Sequence, residues 1–119
     1  EQTAASPEEN TVISKEPHDG TMDSLQFLTS VIGGKWKLRI LWSLRSQEGV
    51  RYSLIKAQIP GITDMMLSQS LRELSSCGLV ERCQFQEIPP RVEYHLTPMG
   101  MELLSHLSNL VEWAQAHQG

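Results

Sequence analysis

Several features that mark particular protein classes are scarce or absent in this sequence. No apolar stretch approaches the roughly 18 to 20 residues that span a bilayer, so we expect no membrane-spanning segment. The two cysteines, Cys77 and Cys83, are too few for a secreted disulfide scaffold. The start of the sequence is polar and acidic, unlike a signal or transit peptide. These absences favour a protein of the reducing cytoplasm.

The sequence also lacks the side-chain arrangements of most catalytic and metal sites. It contains no glycine-rich phosphate loop, no nucleophile with a nearby base and no paired carboxylates suited to a pocket. Cys77, Cys83 and His95 do not have the paired spacing of zinc ligands. We therefore predict no enzymatic activity, no metal site and no cofactor. Both cysteines are expected to act as small apolar residues, and a redox role for them is kept as a hypothesis.

The chain as a whole has no excess of basic residues, although one of its segments does. Ten Lys and Arg residues face fourteen Asp and Glu residues, a formal net charge of −4, which taken alone argues against nucleic-acid binding. Residues 1–24 hold six acids and one base, a local charge of −5, so the rest of the chain carries +1. Within that rest, residues 35–56 hold six bases and one acid. The basic charge is therefore concentrated in one segment.

The length of 119 residues has room for one domain. Residues 1–22 contain many acids, two prolines and few large apolar side chains, so they cannot bury enough surface to offset the entropy of ordering. We predict a disordered acidic tail over residues 1–22 and a single folded domain over residues 23–117.

The spacing of apolar residues and the helix-capping signals predict a mainly α domain with a small β-hairpin. Asp23 or Ser24, Thr63 and Thr97 are the expected N-caps of three of the helices. The predicted elements are helices at 25–32, 35–45, 54–59, 64–77 and 98–116, a short strand at 51–52, and hairpin strands at 79–85 and 92–96. Two short helices around a Pro-Gly-Ile turn, followed by a hairpin, have the layout of a winged helix-turn-helix.

Four short motifs occur in order along the chain, and together they are more specific than any one alone. They are Gly33-Gly34-Lys35-Trp36-Lys37-Leu38, Gly61-Ile62-Thr63 with Met66-Leu67-Ser68-Gln69, Gly78-Leu79-Val80-Glu81-Arg82, and Pro89-Pro90-Arg91-Val92-Glu93-Tyr94-His95-Leu96-Thr97. In these motifs the sequence resembles the HxlR-type winged helix-turn-helix transcription regulators of bacteria and archaea. The resemblance covers about residues 25–113. It implies a sequence-specific regulator that binds double-stranded DNA as a homodimer, with the terminal helices pairing the subunits.

The predicted helix at 64–77 is the expected reading helix, because Leu67, Leu71 and Leu74 fall on one side and its polar residues on the other. Gln69 can bond adenine through two hydrogen bonds, and Arg72 can reach guanine or a phosphate. Arg91, in the hairpin loop, is expected to reach the minor groove or else to pair with Glu93. The candidate DNA-binding residues are Lys35, Lys37, Lys56, Thr63, Met65, Ser68, Gln69, Arg72 and Arg91.

The last helix is apolar over much of its circumference, and the first helix adds further apolar residues. This is more apolar surface than one small domain would cover, and pairing of two identical chains is the simplest explanation. The candidate dimer-interface residues are Leu25, Leu28, Leu104, Leu107, Val111 and Trp113.

Two points keep alternatives open at this stage. The low overall charge, together with Asp64 on the expected reading face, allows a winged-helix protein-interaction module that does not bind DNA. Many members of the resembled family carry a cysteine about ten residues before the Gly-Gly pair, whereas this sequence has Asp23 in that region. Thiol-based sensing of the kind that this cysteine implies is therefore in doubt, and the sequence does not specify the effector, whether a small molecule or a redox signal.

Overall fold

The computed structural model describes residues 19–119. Residues 1–18, most of the predicted tail, lie outside this part. The chain divides into two units, Glu1–Gly33 and Gly34–Gly119. In the first unit, helix α1 spans Thr21–Ile32, and the Gly33-Gly34 pair follows its end as expected.

The start of α1 differs from the expectation that Asp23 or Ser24 is its N-cap. Gly20 takes that position in a left-handed conformation, with φ of 77°, which glycine adopts without steric cost. The backbone N–H of Thr21 donates to Asp19 Oδ1 at 2.9 Å. The helix therefore begins at Thr21, and Asp23 lies within its first turn, where a negative charge is favourable.

The second unit is mostly helical and carries a three-stranded antiparallel sheet in the order β1-β3-β2, which confirms the predicted winged helix-turn-helix fold. Its elements are α2 at Lys37–Ser43, β1 at Val50–Arg51, α3 at Tyr52–Ala57, α4 at Asp64–Ser76, β2 at Val80–Phe85, β3 at Arg91–Leu96 and α5 at Pro98–His117.

Two threonine caps determine where the long helices begin, as predicted. Thr63 Oγ1 accepts the N–H of Met66 at 3.1 Å, and Thr97 Oγ1 accepts the N–H of Gly100 at 3.1 Å. Thr97 Oγ1 also donates to the carbonyl oxygen of Gly78 at 2.5 Å. The start of α5 is thereby attached to the turn between α4 and β2.

The two short helices start elsewhere than predicted. Trp36 is the N-cap of α2, so Lys35 precedes the helix instead of opening it. Helix α3 begins at Tyr52, two residues before the expected start, because the ladder of β1 with β3 ends at Arg51. Ser53 is therefore inside the helix, and Tyr52 lies in its first turn instead of in a strand.

The core of the second unit lies between α2, α3, α4 and the sheet. The leucines that periodicity placed inward on α4, Leu67, Leu71 and Leu74, are at most 2% exposed. The other core side chains are Ile40, Leu41, Leu44, Ile55, Ile59, Ile62, Leu79, Val80, Leu96 and Leu107. Trp36, the N-cap of α2, is half-buried.

Helix α5 is the longest element and contributes only Gly100 and Leu107 to the buried residues. Over residues 19–119, no helix combines the length and the hydropathy that crossing a membrane requires.

Candidate nucleic-acid interface

The outer side of α4 is a polar, exposed face that the burial of its leucines fixes in orientation. Met65, Gln69 and Arg72 follow one another at spacings of four and three residues, so they form one stripe on the helix surface. Met65 is 75% exposed. Arg72 is exposed and forms no ion pair with any of residues 19–119. The stripe is therefore accessible to a binding partner, and Arg72 provides a positive charge, unpaired within the described residues, for the contact.

A hydrogen-bonded cluster joins α3 to the beginning of α4. The hydroxyl of Tyr52 lies 3.1 Å from the carbonyl oxygen of Asp64, 3.1 Å from its Oδ1 and 3.2 Å from Ser68 Oγ. The single hydroxyl proton serves one Asp64 oxygen at a time, while the oxygen can accept from Ser68. Lys56 Nζ donates to Asp64 Oδ1 at 2.9 Å. The cluster therefore connects α3 to the first two turns of α4.

This cluster gives a structural role to Asp64, the acidic residue on the expected reading helix. The hydrogen bonds that Asp64 accepts from Lys56 and Tyr52, with the positive charge of Lys56, lower the pKa of its carboxyl group. Asp64 is therefore ionised at neutral pH and its charge is offset by Lys56. The cluster also engages two candidate DNA-binding residues, Lys56 and Ser68, in contacts within the chain.

A second acid, Glu73, connects α4 to α2. Lys37 Nζ lies 2.8 Å from Glu73 Oε1, and Gln69 Nε2 donates to Glu73 Oε2 at 3.1 Å. The hydrogen bonds from Lys37 and Gln69 and the charge of Lys37 lower the pKa of the Glu73 carboxyl group. Sequence reasoning did not select Glu73, although its position four residues after Gln69 on a helix was the available signal.

Arg91 lies on the hairpin, which forms the wing, and is held by its own neighbours. Its Nη2 is 3.1 Å from Glu87 Oε2, and its guanidinium carbon lies 4.1 Å from the centroid of the Phe85 ring. Its Nε is 3.3 Å from Glu93 Oε2, a charge contact whose angles do not make a hydrogen bond. Of the two roles expected for Arg91, pairing with Glu93 is thus present within the chain.

Lys35 is placed apart from the α4 stripe. Its Nζ lies 4.7 Å from the centroid of the Trp36 ring, and Arg39 approaches the same ring at 5.5 Å. These residues line a cavity of about 800 Å³, together with Trp42 and with Val111 of α5. Two cations and two indole rings thus surround one apolar space.

The candidate dimer-interface residues differ in how much surface they leave exposed. Trp113 on α5 is 65% exposed, whereas Leu104 and Val111 are half-buried. Leu107 is 7% exposed, so it belongs to the core of the single chain and has little surface left for a partner. On α1, Leu25 and Leu28 are 50% and 41% exposed.

Comparison with known proteins gives consistent matches. The family described as HxlR-like helix-turn-helix matches residues 31–119. An uncharacterized HTH-type transcriptional regulator of Methanothermobacter thermautotrophicus is 41% identical over 99 residues, spanning 83% of this chain and 75% of that protein. The uncharacterized HTH-type transcriptional regulator YdzF of Bacillus subtilis is 38% identical, over 79% and 86% of the two chains. The structure of the redox regulator HypR in its oxidized form superposes with a TM-score of 0.74, at 34% identity, over 79% of this chain and 96% of that one.

The Tyr52 cluster generates a prediction about stability. Replacing Tyr52 by Phe removes the hydroxyl that bonds Asp64 and Ser68, and we expect the free energy of unfolding to fall by about 0.5–1.5 kcal/mol. The measurement is urea denaturation at neutral pH. Tyr94→Phe is the matched control, because no hydrogen bond of the Tyr94 hydroxyl is present among residues 19–119. Equal losses in the two variants would show that the cluster contributes nothing specific.

Proposed function

This chain belongs to the HxlR-like helix-turn-helix family, and we infer that it is a transcription regulator that binds double-stranded DNA. The observation that carries the inference is the face of α4, where Gln69 and Arg72 stand exposed above a buried leucine stripe. A helix of this kind, with polar side chains along its outer face, fits the major groove. The curated relatives described as HTH-type transcriptional regulators support the same conclusion.

Gln69 and Arg72 are the residues that we propose recognise the DNA bases. A glutamine side chain can donate to and accept from the edge of adenine, and an arginine can donate twice to guanine. Gln69 donates to Glu73 in the free protein, so it exchanges that bond for one to a base on binding. Met65 lies on the same stripe and offers apolar contact to a thymine methyl group. Thr63 remains the cap, which sets where this stripe begins.

Affinity for phosphates comes from cations that are partly neutralised in the free chain. Lys37 and Lys56 are each paired with an acid of α4, whereas Arg72 has no such partner within the described residues. Phosphate contacts by the paired lysines require exchange of one anion for another, which reduces the gain in binding free energy. Nonspecific affinity for DNA is therefore expected to be modest.

Arg91 is proposed to act in the wing more as a stiffener than as a probe of the groove. Its contacts with Glu87, Glu93 and Phe85 join the loop to both strands of the hairpin. Its side chain is 30% exposed, so a phosphate or a minor groove can still meet its outer edge. The wing then presents one shape to the DNA instead of many.

Pairing of two chains through the terminal helices is the form in which we propose that the regulator binds DNA. The support is the apolar surface that α5 leaves uncovered at Leu110 and Trp113, 60% and 65% exposed, and the exposed leucines of α1. A dimer with a two-fold axis would place two copies of α4 toward two half-sites of an operator.

Three further expectations belong to this proposal. A regulator that acts on bacterial or archaeal DNA is placed in the cytoplasm, and its function requires no catalysis. A small-molecule effector is supported by the cavity beside Trp36 and Trp42, which combines apolar walls with the cations Lys35 and Arg39. A redox effector is supported by the likeness to the redox regulator HypR. The cysteines of this chain do not add to that support, because they stand at positions 77 and 83 and not about ten residues before the Gly-Gly pair.

The salt dependence of duplex binding distinguishes the DNA-binding regulator from the alternative, a protein-interaction module that does not bind DNA. Counterion release makes the affinity of a DNA-binding protein fall steeply as salt rises. Measurable binding with such a slope supports the regulator, and no binding to any duplex in a random library supports the module.

The α4 stripe predicts which substitutions weaken sequence reading. Gln69→Ala or Arg72→Ala should each weaken binding to duplexes selected from a random library by about 1–3 kcal/mol, because each removes a base contact. Fluorescence anisotropy with selected and unselected duplexes measures the effect. Arg45→Ala removes the same charge outside α4 and is expected to weaken both kinds of duplex alike. If Gln69→Ala and Arg72→Ala bind the selected duplexes as tightly as the wild type, these residues do not read bases.

The ion pair of Glu73 predicts a gain in nonspecific affinity. Glu73→Gln removes the charge that neutralises Lys37, so we expect tighter binding to unselected duplex and a salt slope steeper by about 0.9, the value for one added phosphate contact. Titrations at several salt concentrations measure both quantities. Glu102→Gln on α5 changes the net charge equally, and an identical gain in that control would assign the effect to net charge alone.

The proposed dimer predicts the outcome of adding a charge to α5. Trp113→Glu should shift the protein from dimer to monomer, because it places a charge in an apolar interface. Sedimentation velocity over a range of concentrations measures the change. Gln115→Glu adds the same charge two residues away, on another side of the helix, and is expected to leave the dimer intact. A wild-type chain that sediments as a monomer throughout would refute the proposal.

A further inference from the structure

The antiparallel register of the wing brings together three side chains that are far apart in the sequence. Glu81 pairs directly with His95 across β2 and β3, and Cys83 pairs with Glu93. Because alternate residues of a strand point to the same face, Glu81, Cys83 and His95 share one side of the hairpin. The opposite side carries the buried Val80 and Leu96. The three side chains therefore stand on the outer face, near the base of the wing.

Their polar atoms are close enough to act on one ion. Cys83 Sγ lies 3.7 Å from His95 Nδ1, and Glu81 Oε1 lies 3.1 Å from His95 Nε2. One ligand atom from each residue lies within 4.8 Å of the others. Glu81 is 61% exposed and His95 is 31% exposed, so an ion from solvent can reach both.

We propose that Cys83, His95 and Glu81 form a binding site for a divalent transition-metal ion of the zinc type. Thiolate sulfur, imidazole nitrogen and carboxylate oxygen are the three ligand types of zinc in proteins. Tetrahedral zinc, with its usual bond lengths, places sulfur and nitrogen ligands about 3.6 Å apart. The 3.7 Å between Cys83 Sγ and His95 Nδ1 matches this separation without rearrangement.

Glu81 supplies the third ligand. Its carboxylate already contacts the imidazole through Nε2, which holds the ring with Nδ1 toward Cys83. A rotation of this exposed side chain brings one oxygen from Nε2 toward the ion. A water molecule completes four-coordination, as in other zinc sites with three protein ligands. Binding releases the thiol proton to solvent, so the site takes the metal as a thiolate complex.

The consequence for the fold is a cross-strand clip. A metal held by Cys83 of β2 and His95 of β3 adds a strong connection between strands otherwise joined by backbone hydrogen bonds and side-chain contacts. It lies near the end of the hairpin where Val80 pairs with Leu96, and so restrains the wing where it leaves the core.

Cobalt(II) is a suitable probe, because its thiolate complexes absorb in the near ultraviolet. Titrating the full chain, kept reduced, with CoCl2 should give a sulfur-to-cobalt band that saturates at one ion per chain, and zinc should displace it. Cys83→Ser should abolish the band, and Cys77→Ser should retain it. Absence of the band at an excess of cobalt, or its persistence in Cys83→Ser, would overturn the site.

Two further variants, which keep Cys83, test the other two ligands, Glu81 and His95. Glu81→Gln removes a carboxylate ligand on an exposed side chain and should weaken cobalt binding by at least about 10-fold, the smallest loss typical of groups that merely support a metal ligand. His95→Gln should weaken binding at least as much, and the matched control His106→Gln, on α5, should not. Unchanged affinity in Glu81→Gln and His95→Gln would remove these residues from the site.

Amide hydrogen exchange tests separately whether the bound metal restrains β2 and β3. Zinc should slow amide hydrogen exchange in β2 and β3 of the wild-type chain, and not in Cys83→Ser. Equal exchange with and without zinc in a chain that binds cobalt would refute the clip while leaving the metal site in place.

Discussion

The burial of one leucine stripe determines the orientation of α4, the helix that we propose contacts DNA. Leu67, Leu71 and Leu74 recur at spacings of four and three along α4, and all three are at most 2% exposed. Burying three leucines contributes several kcal/mol, about 1.5–3 for each, so the helix cannot rotate about its axis without losing them. Gln69 and Arg72 are held outward as a consequence. The orientation of the proposed DNA-contacting face thus depends on side chains that are buried in the core.

Acidic residues on the same helix adjust how strongly that face attracts phosphates. Asp64 and Glu73 each pair with a lysine from a neighbouring helix, Lys56 of α3 and Lys37 of α2. The pairs lie at the protein surface and contribute little to stability by themselves. Each acid offsets the positive charge of its lysine near α4, so under the proposed function a larger part of the binding free energy would come from base contacts. Specificity is favoured when the nonspecific term is small.

The sequence predicted the order of elements, the caps Thr63 and Thr97 and the leucine stripe of α4, because each depends on residues close together in the chain. The contacts of the site were predicted less well. Tyr52 was expected in a strand, yet its hydroxyl reaches Asp64, twelve residues away, once α3 has packed against α4. Lys37 was expected to be free for phosphate and is paired with Glu73, thirty-six positions later. Such pairings follow from helix packing, which no local pattern specifies.

The wing shows the same limit most clearly, because its two faces have different origins. One face is determined by burial, which places Val80 and Leu96 toward the core and could be anticipated from alternation along the strands. The other face receives Glu81, Cys83 and His95 only because the register pairs residue 81 with residue 95. Spacing along the chain argued against a metal site, since ligand pairs within one segment were missing. A shift of the register by one residue would turn His95 to the core side, so the outer cluster depends on the same pairing that closes the core.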